Sequence, residues 1–245
     1  MNICLFTNEE INKPLSLNDE RAKHIIKILH KEVGQTFKAG IINQQAGTAT
    51  ITNINSKEIS FSFTPESDGK PLFPLIMIIG FPRPIQLKRL LRDVAAIGVS
   101  QVHLTGTELG EKSYMQSNLV SHGTAYQMLI DGTVQAASTH VPDLFLHKNL
   151  EECINEINKS INTEYLNLCL DNVSPSDSLQ NILTNSDKKK FVAAIGSERG
   201  WTNNERNLLQ SQGFSLCSMG SRVMRTETAA TVSASIISSN AGWLN

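Results

Sequence analysis

The sequence has no excess of charge of either sign: 22 Lys+Arg stand against 23 Asp+Glu in 245 residues, a formal net charge of −1. A chain that coats nucleic-acid phosphates over its whole surface is thereby excluded, and only local basic clusters could do so. Long hydrophobic runs are missing too; no apolar stretch approaches the ~18 residues of a membrane-spanning helix. The first residues, Met1-Asn2-Ile3-Cys4-Leu5-Phe6, carry no basic segment and soon meet Glu9-Glu10, so no secretory leader is expected. Cysteine is sparse. The four, Cys4, Cys153, Cys169 and Cys217, contain no Cys-x-x-Cys pair, which excludes a disulfide framework or zinc knuckle and fits small buried hydrophobes in a reducing cytoplasm. The six histidines (24, 30, 103, 122, 140 and 147) show no His-x-x-x-His spacing, and no metal site is expected. Gly-x-Gly-x-x-Gly, the P-loop motif and Gly-x-Ser-x-Gly are all absent, which removes ordinary dinucleotide, nucleotide-triphosphate and hydrolase sites.

What remains is a globular chain long enough for one or two domains. Up to about residue 70 it reads as short strands, with Thr48–Thr52 and Ile59–Phe63 alternating at period two. One short amphipathic helix lies between Asp19 and His30, with Ala22, Ile25, Ile26 and Leu29 on one stripe, closed by Val33-Gly34. This predicts a small barrel with one helix. The turn-rich segment Glu66–Pro74 marks a domain boundary, giving domains 1–70 and 71–245. Beyond it Leu75–Gly80 is a continuous apolar run, as for a strand covered on both faces. Pro84 opens a helix that Gly98 ends, and 101–105 is a strand. Helix follows within about 117–137 and at 149–159, with strands at 165–170 and 191–195, helix 203–212, strand 214–219 and helix 227–239. Such alternation predicts an α/β domain with a mainly parallel sheet.

The last fifty residues carry the chemistry. Ile195-Gly196-Ser197-Glu198-Arg199-Gly200-Trp201 follows a strand directly, the place where open α/β sheets bind ligands. Gly196 and Gly200 would let the backbone approach a ligand, although a tight capped turn explains the segment equally well. Thr202-Asn-Asn-Glu205 matches a helix capping box. Then Gly220-Ser-Arg222-Val223-Met224-Arg225 lies between a strand and a helix opened by Thr226-Glu227. It would suit an adenine with guanidinium charge nearby for phosphate or carboxylate, or else be a solvated salt-bridge loop. Trp201 is expected against the sheet rather than stacked on a base.

These segments, Ile195–Glu205 and Met219-Gly-Ser-Arg-Val-Met-Arg-Thr-Glu-Thr-Ala229, resemble the ribosomal RNA small-subunit methyltransferase E family. His24-Ile-Ile-Lys-Ile-Leu-His30 before Val33-Gly34 is similar to that family's N-terminal elements. The resemblance implies the SPOUT superfamily: a PUA-like barrel, then an α/β domain whose end is threaded into a trefoil knot, which no periodicity could show. It further implies S-adenosylmethionine as cofactor, no metal, a homodimer, and methylation of N3 of a uridine in 16S rRNA within the small ribosomal subunit. On that reading Leu170, Ile195, Gly196, Gly200, Met219, Gly220, Val223, Met224 and Thr226 hold the cofactor, with Asp171 and Asn172 beside Leu170.

Uridine N3 is protonated and must lose that proton to become a nucleophile. Arg225, with Arg222 as second candidate, would stabilise the developing anion. Glu198 or Glu227 would take the proton, though Glu227 suits a structural place in a helix's first turn. RNA contacts would come from Arg21, Lys23 and His24 on the barrel helix and from Arg83, Lys88, Arg89 and Arg92, the last three being equally the wet face of a helix. Ser197 and Arg199 replace the family's Pro and Gly, a glutamate is missing after Arg92, and an arginine is missing near His140. These departures leave open a related enzyme with a shifted RNA target, or an assembly protein on the same fold.

Overall fold

The computed structural model describes residues 2–121, 123–161 and 164–244; His122, among the histidines considered above, lies outside them. It divides into two compact units, one formed by the chain up to Pro71 together with Ile130–Val141, the other by Leu72–Leu129 and Pro142–Asn245.

In the first unit β1 (Cys4–Phe6), β2 (Leu15–Ser16), β3 (Thr36–Ile41), β4 (Ala46–Ile54) and β5 (Glu58–Ser67) form one mixed sheet in the order β1-β3-β4-β5-β2. Only β1 and β3 run parallel. The period-two pattern of β4 turns Ala49 and Ile51 inward, against a core in which the Phe6 and Phe37 rings meet Phe61 at 5.0 and 5.7 Å. The expected single helix is α1 (Glu20–Lys23), capped by the Asp19 carboxylate and running into a π-helical turn over His24–Ile28. The wider turn advances each side chain by less than the 100° of an α-helix, so the expected stripe drifts out of phase. Ala22 and Ile25 are buried, but Leu29 is 42% exposed. The turn closes at His30, in the left-handed region at φ 49°, ahead of Val33-Gly34. Ile130–Val141 joins this unit through Thr139, whose carbonyl accepts the Asn43 N–H and whose hydroxyl donates to Gln44, while Asn43 Oδ1 accepts the Val141 N–H. Nothing in the turn-rich segment at 66–74 marked that second passage.

The second unit contains β6 (Phe73–Gly80), α2 (Pro84–Ile97), β7 (Val99–Thr105), α3 (Lys112–Met115), α4 (Asn118–Ser121) and α5 (Thr124–Gln135), the last of which runs on into the first unit. They are followed by β8 (Asp143–His147), α6 (Leu150–Ser160), β9 (Tyr165–Leu170), β10 (Asp177–Ser178) and α7 (Leu179–Thr184). The chain ends in β11 (Lys190–Ile195), α8 (Asn203–Ser211), β12 (Ser215–Ser218) and α9 (Thr226–Asn240). Seven strands form one sheet in the order β10-β12-β9-β11-β6-β7-β8, with every pairing parallel. Its central strands β6 and β11 are the near-continuous apolar runs of the sequence, buried along most of their length. The last strand, β12, is inserted between β9 and β10, two strands laid down and joined earlier. That order goes with the threading that the resemblance implies. The helix expected within 117–137 is divided, with Gly123 at φ 71° between α4 and α5. All four cysteines are free and buried.

Candidate functional site

Parallel pairing brings the carboxyl ends of β9, β11 and β12 to one edge of the sheet, and three loops leave from there. They enclose a cavity of about 340 Å³. The first loop contributes Leu170, Asp171, Asn172 and Val173; the second Ile195, Gly196 and the stretch 197–200; the third Met219, Gly220, Arg222, Val223, Met224 and Thr226. The nine residues assigned from the sequence to a cofactor therefore line a single space. Arg206, Cys217 and Ala229 complete the wall.

Local chemistry ties these loops together. The Trp201 indole is 2% exposed and its Nε1–H donates to the Leu170 carbonyl at 3.2 Å, packing it on the sheet as expected. Thr226 Oγ1 donates to the Gly196 carbonyl, also at 3.2 Å. The Gly200 N–H donates to Ser197 O at 2.8 Å, closing a turn that Gly200 allows by its φ of 71°. Gly196 suits the tight turn, one of the two readings of this segment, and also lines the cavity. A Cβ there would lie 3.0 Å from Gly200 Cα, so its bareness lets the turn close on itself.

The central polar feature is an ion pair that sequence reasoning did not find. Arg206 Nε and Nη2 grip the two Asp171 oxygens at 3.1 and 2.9 Å, with 9% and 1% of the two side chains exposed. The same carboxylate accepts the N–H of Val173 and Ser174. Burial pushes the Asp171 carboxyl up, but the Arg206 bonds and the Ser174 N–H outweigh it and hold the group below its usual range. No motif connects a residue after β9 with one in α8; only the fold does. The capping box at Thr202 and Glu205 is present as the sequence predicted, and it does more than cap. Glu205, 4% exposed, also accepts the Glu108 N–H at 2.9 Å, and the Thr202 hydroxyl donates to Glu108 Oε2 at 2.7 Å. Replacing Glu205 by Ala strands two backbone donors and is expected to cost about 1–3 kcal/mol, measured by urea unfolding.

Of the residues given catalytic roles, Arg222 and Glu198 line the cavity, whereas Arg225, at the N-cap of α9, does not. Both arginines are exposed and make no ion pair among the described residues. Glu198 pairs with Arg83, its Oε1 lying 3.3 Å from Nε. Glu227 is buried in the first turn of α9. The residues assigned to RNA separate into groups. Arg21 donates to the Leu5 carbonyl and to both Glu10 and Asp19, and lies 4.8 Å over the Phe6 ring; its guanidinium is occupied inside the first unit. Lys23 pairs with Glu20, and His24 opens the π-helical turn, half-buried. Lys88, Arg89 and Arg92 stand on the exposed face of α2, opposite Leu87, Leu90 and Leu91.

The histidine spacings gave no hint of one further cluster. His103 on β7, His147 on β8 and Cys153 on α6 are buried, with ligand atoms within 4.8 Å of one another. His103 Nδ1 and His147 Nε2 share a hydrogen bond at 2.9 Å, and Gln101 Oε1 lies 3.1 Å from the other His103 nitrogen. Burial, with a smaller contribution from His147, pushes His103 down to about 3, so the pair is held neutral.

Comparison with known proteins agrees with this architecture. A family model described as an RNA methyltransferase domain matches residues 68–238. The chain is 40% identical to the ribosomal RNA small subunit methyltransferase E of Treponema pallidum (strain Nichols) over 246 residues, covering 98% of this chain and 92% of that protein. The chain belongs to the ribosomal RNA small subunit methyltransferase E family. Another member, ribosomal RNA small subunit methyltransferase E 1 of Borreliella burgdorferi, is 32% identical over 98% of both chains. The crystal structure of the Neisseria gonorrhoeae methyltransferase E, bound to S-adenosyl methionine, superposes with a TM-score of 0.76 at 18% identity, over 98% of this chain and 97% of that one. The methyltransferase E fold thus extends over both units. No described helix is long and apolar enough to cross a membrane.

Proposed function

We propose that this protein methylates N3 of a uridine in 16S rRNA, with S-adenosylmethionine as methyl donor. The observation that carries this reading is the single cavity at the ends of β9, β11 and β12, in a chain whose relatives are named for small-subunit rRNA methylation. The lining suits the donor. Leu170, Ile195, Met219, Val223 and Met224 offer apolar surface for a purine, while Glu198 and Arg222 offer charge for the polar end of the donor.

S-adenosylmethionine brings a methyl already activated by its sulfonium, so the protein's work is to place and prepare the acceptor. Glu198 takes the N3 proton: the N–H bond breaks, an O–H bond forms on the carboxylate, and the electron pair stays on nitrogen. Arg222, on the wall of the larger cavity, is the cation assigned to the charge that then spreads over the uracil oxygens. Binding to RNA is assigned to Lys88, Arg89 and Arg92, whose exposed charges lie along α2. We further read the working form as a homodimer in the cytoplasm, acting on the small ribosomal subunit.

Titration calorimetry of the purified protein with S-adenosylmethionine and S-adenosylhomocysteine tests the cofactor. Micromolar binding, lost in Gly220→Trp, is expected. Nucleoside analysis of 30S subunits and tRNA after reaction should then show 3-methyluridine in the 16S strand alone. Absence of binding, with or without 30S subunits, would leave an assembly protein as the better reading.

A further inference from the structure

A second, smaller cavity of about 130 Å³ lies on the other side of the 197–199 loop, lined by Phe81, Arg83, Leu109, Gly110, Glu111 and Tyr114 on one side and by Ser197, Glu198 and Arg199 on the other. The two cavities therefore share one wall, and Glu198 belongs to both. That wall is firmly seated. Thr107 Oγ1 donates to Ser197 Oγ at 2.9 Å, and a Cβ on Gly80 would come within 2.5 Å of the Ser197 nitrogen, so the end of β6 lies flush against the loop. Arg83 is set between Pro82 and Pro84 at the start of α2, where both rings restrict the backbone. Its guanidinium is held from two directions, by the Tyr114 side chain and by Glu198. The contact with Glu198 is long, at 3.3 Å, and 63% of the Arg83 side chain and 36% of Glu198 are open to solvent. Donors and acceptors are left over for a ligand.

We propose that this smaller cavity receives the target base, and that the Arg83–Glu198 pair selects uracil. The proposal rests on the methyltransferase reading above and adds the part of the site that reads the acceptor. The space equals that of about four waters, suited to one planar ring and too small for a whole nucleoside. Uracil presents an acceptor, the N3–H donor and a second acceptor along one edge. Arg83 supplies donors and Glu198 an acceptor side by side, which complements two adjacent positions of that edge. Cytosine carries a bare N3 lone pair and an amino group there, so a carboxylate facing N3 repels it. Phe81, itself buried, and Tyr114 are the aromatic residues of the lining. Selection and deprotonation then involve the same carboxylate: the group that distinguishes uracil by its N3–H removes this proton and, once protonated, turns off the N3 lone pair to leave it to the methyl.

The test uses the full chain saturated with S-adenosylhomocysteine and titrated by NMR with uridine 5′-monophosphate or cytidine 5′-monophosphate. The uridine nucleotide is expected to bind about tenfold tighter, the discrimination typical of a base edge read by matched hydrogen bonds. Arg83→Gln should lose most of that preference while leaving S-adenosylhomocysteine binding unchanged, since Arg83 does not line the larger cavity. Glu198→Gln should shift the preference toward the cytidine nucleotide, because its amide can donate to cytosine N3; a merely structural role for the pair would not produce that shift. Equal binding of the two nucleotides by the parent protein, or an unaltered preference in both variants, would overturn the proposal. Failure of the parent protein to bind S-adenosylhomocysteine would bring down the methyltransferase reading itself, and this inference with it.

Discussion

Arg206→Ala is expected to destabilise the second unit by about 3–5 kcal/mol, because it leaves a buried carboxylate with no counter-ion. Asp171 is 1% exposed and its pair with Arg206 bridges the loop after β9 to the helix after β11. Losing the guanidinium forces the carboxylate either to draw in water or to take up a proton. Either change releases the N–H groups of Val173 and Ser174 that the carboxylate now holds, and with them the first wall of the cavity. Urea unfolding should show the loss, and calorimetry with S-adenosylhomocysteine should show weakened binding even at a temperature where the variant is folded. Asp171→Asn is predicted to be milder: it leaves the Arg206 guanidinium, 9% exposed, without its counter-ion, but the amide oxygen can still accept a hydrogen bond from it.

The pair also fixes a dependence on acid. Asp171 is held below its usual range in the folded protein, so the stability it contributes is fully present above the unfolded-state value of about 3.9 and is lost as the pH falls through the lower folded value. Glu10 and Asp19, lowered chiefly by their bonds to Arg21, work in the same direction within the first unit. The difference between the parent protein and Asp171→Asn isolates the contribution of the second unit. It should be constant near neutrality and shrink below about pH 4.

The two halves of this ion pair show where a linear reading of the chain stops. The strand-to-helix loops at 195–201 and 219–226 were legible because their glycines, caps and apolar flanks are local, and a parallel sheet must bring such loops to one edge. Glu205 was legible as a cap for the same reason. Its second bond, to the backbone of Glu108, and the grip of Arg206 on Asp171 depend on strand order, which no local pattern carries. Arg21 illustrates the converse. A basic residue on a short helix reads as a phosphate contact, yet Glu10, eleven positions earlier, turns it inward. The helix bearing it also loses phase in the π-helical turn, a one-residue change in hydrogen bonding that composition cannot reveal.

Arg222→Ala is expected to lower the turnover of 30S subunits by about 10²–10³-fold, the scale of removing one stabilising donor from a developing oxyanion. Arg225→Ala should cost less in turnover and more in the apparent affinity for the subunit. The contrast follows from the placing of two similar side chains three residues apart. Arg222 lines the cavity, while Arg225, at the N-cap position of α9, does not, although the sequence favoured Arg225 as the cation beside the base. Both are exposed, and neither forms an ion pair among the described residues. Single-turnover rates separate the two roles from product release. Added salt distinguishes them again, because a phosphate contact weakens steeply as counterions return to the RNA, whereas a cation acting inside the cavity is screened far less. If Arg225→Ala abolished turnover at saturating subunit while Arg222→Ala left it intact, the third loop would have to reorganise on RNA binding, bringing Arg225 over the base and displacing the exposed Val223 from the rim.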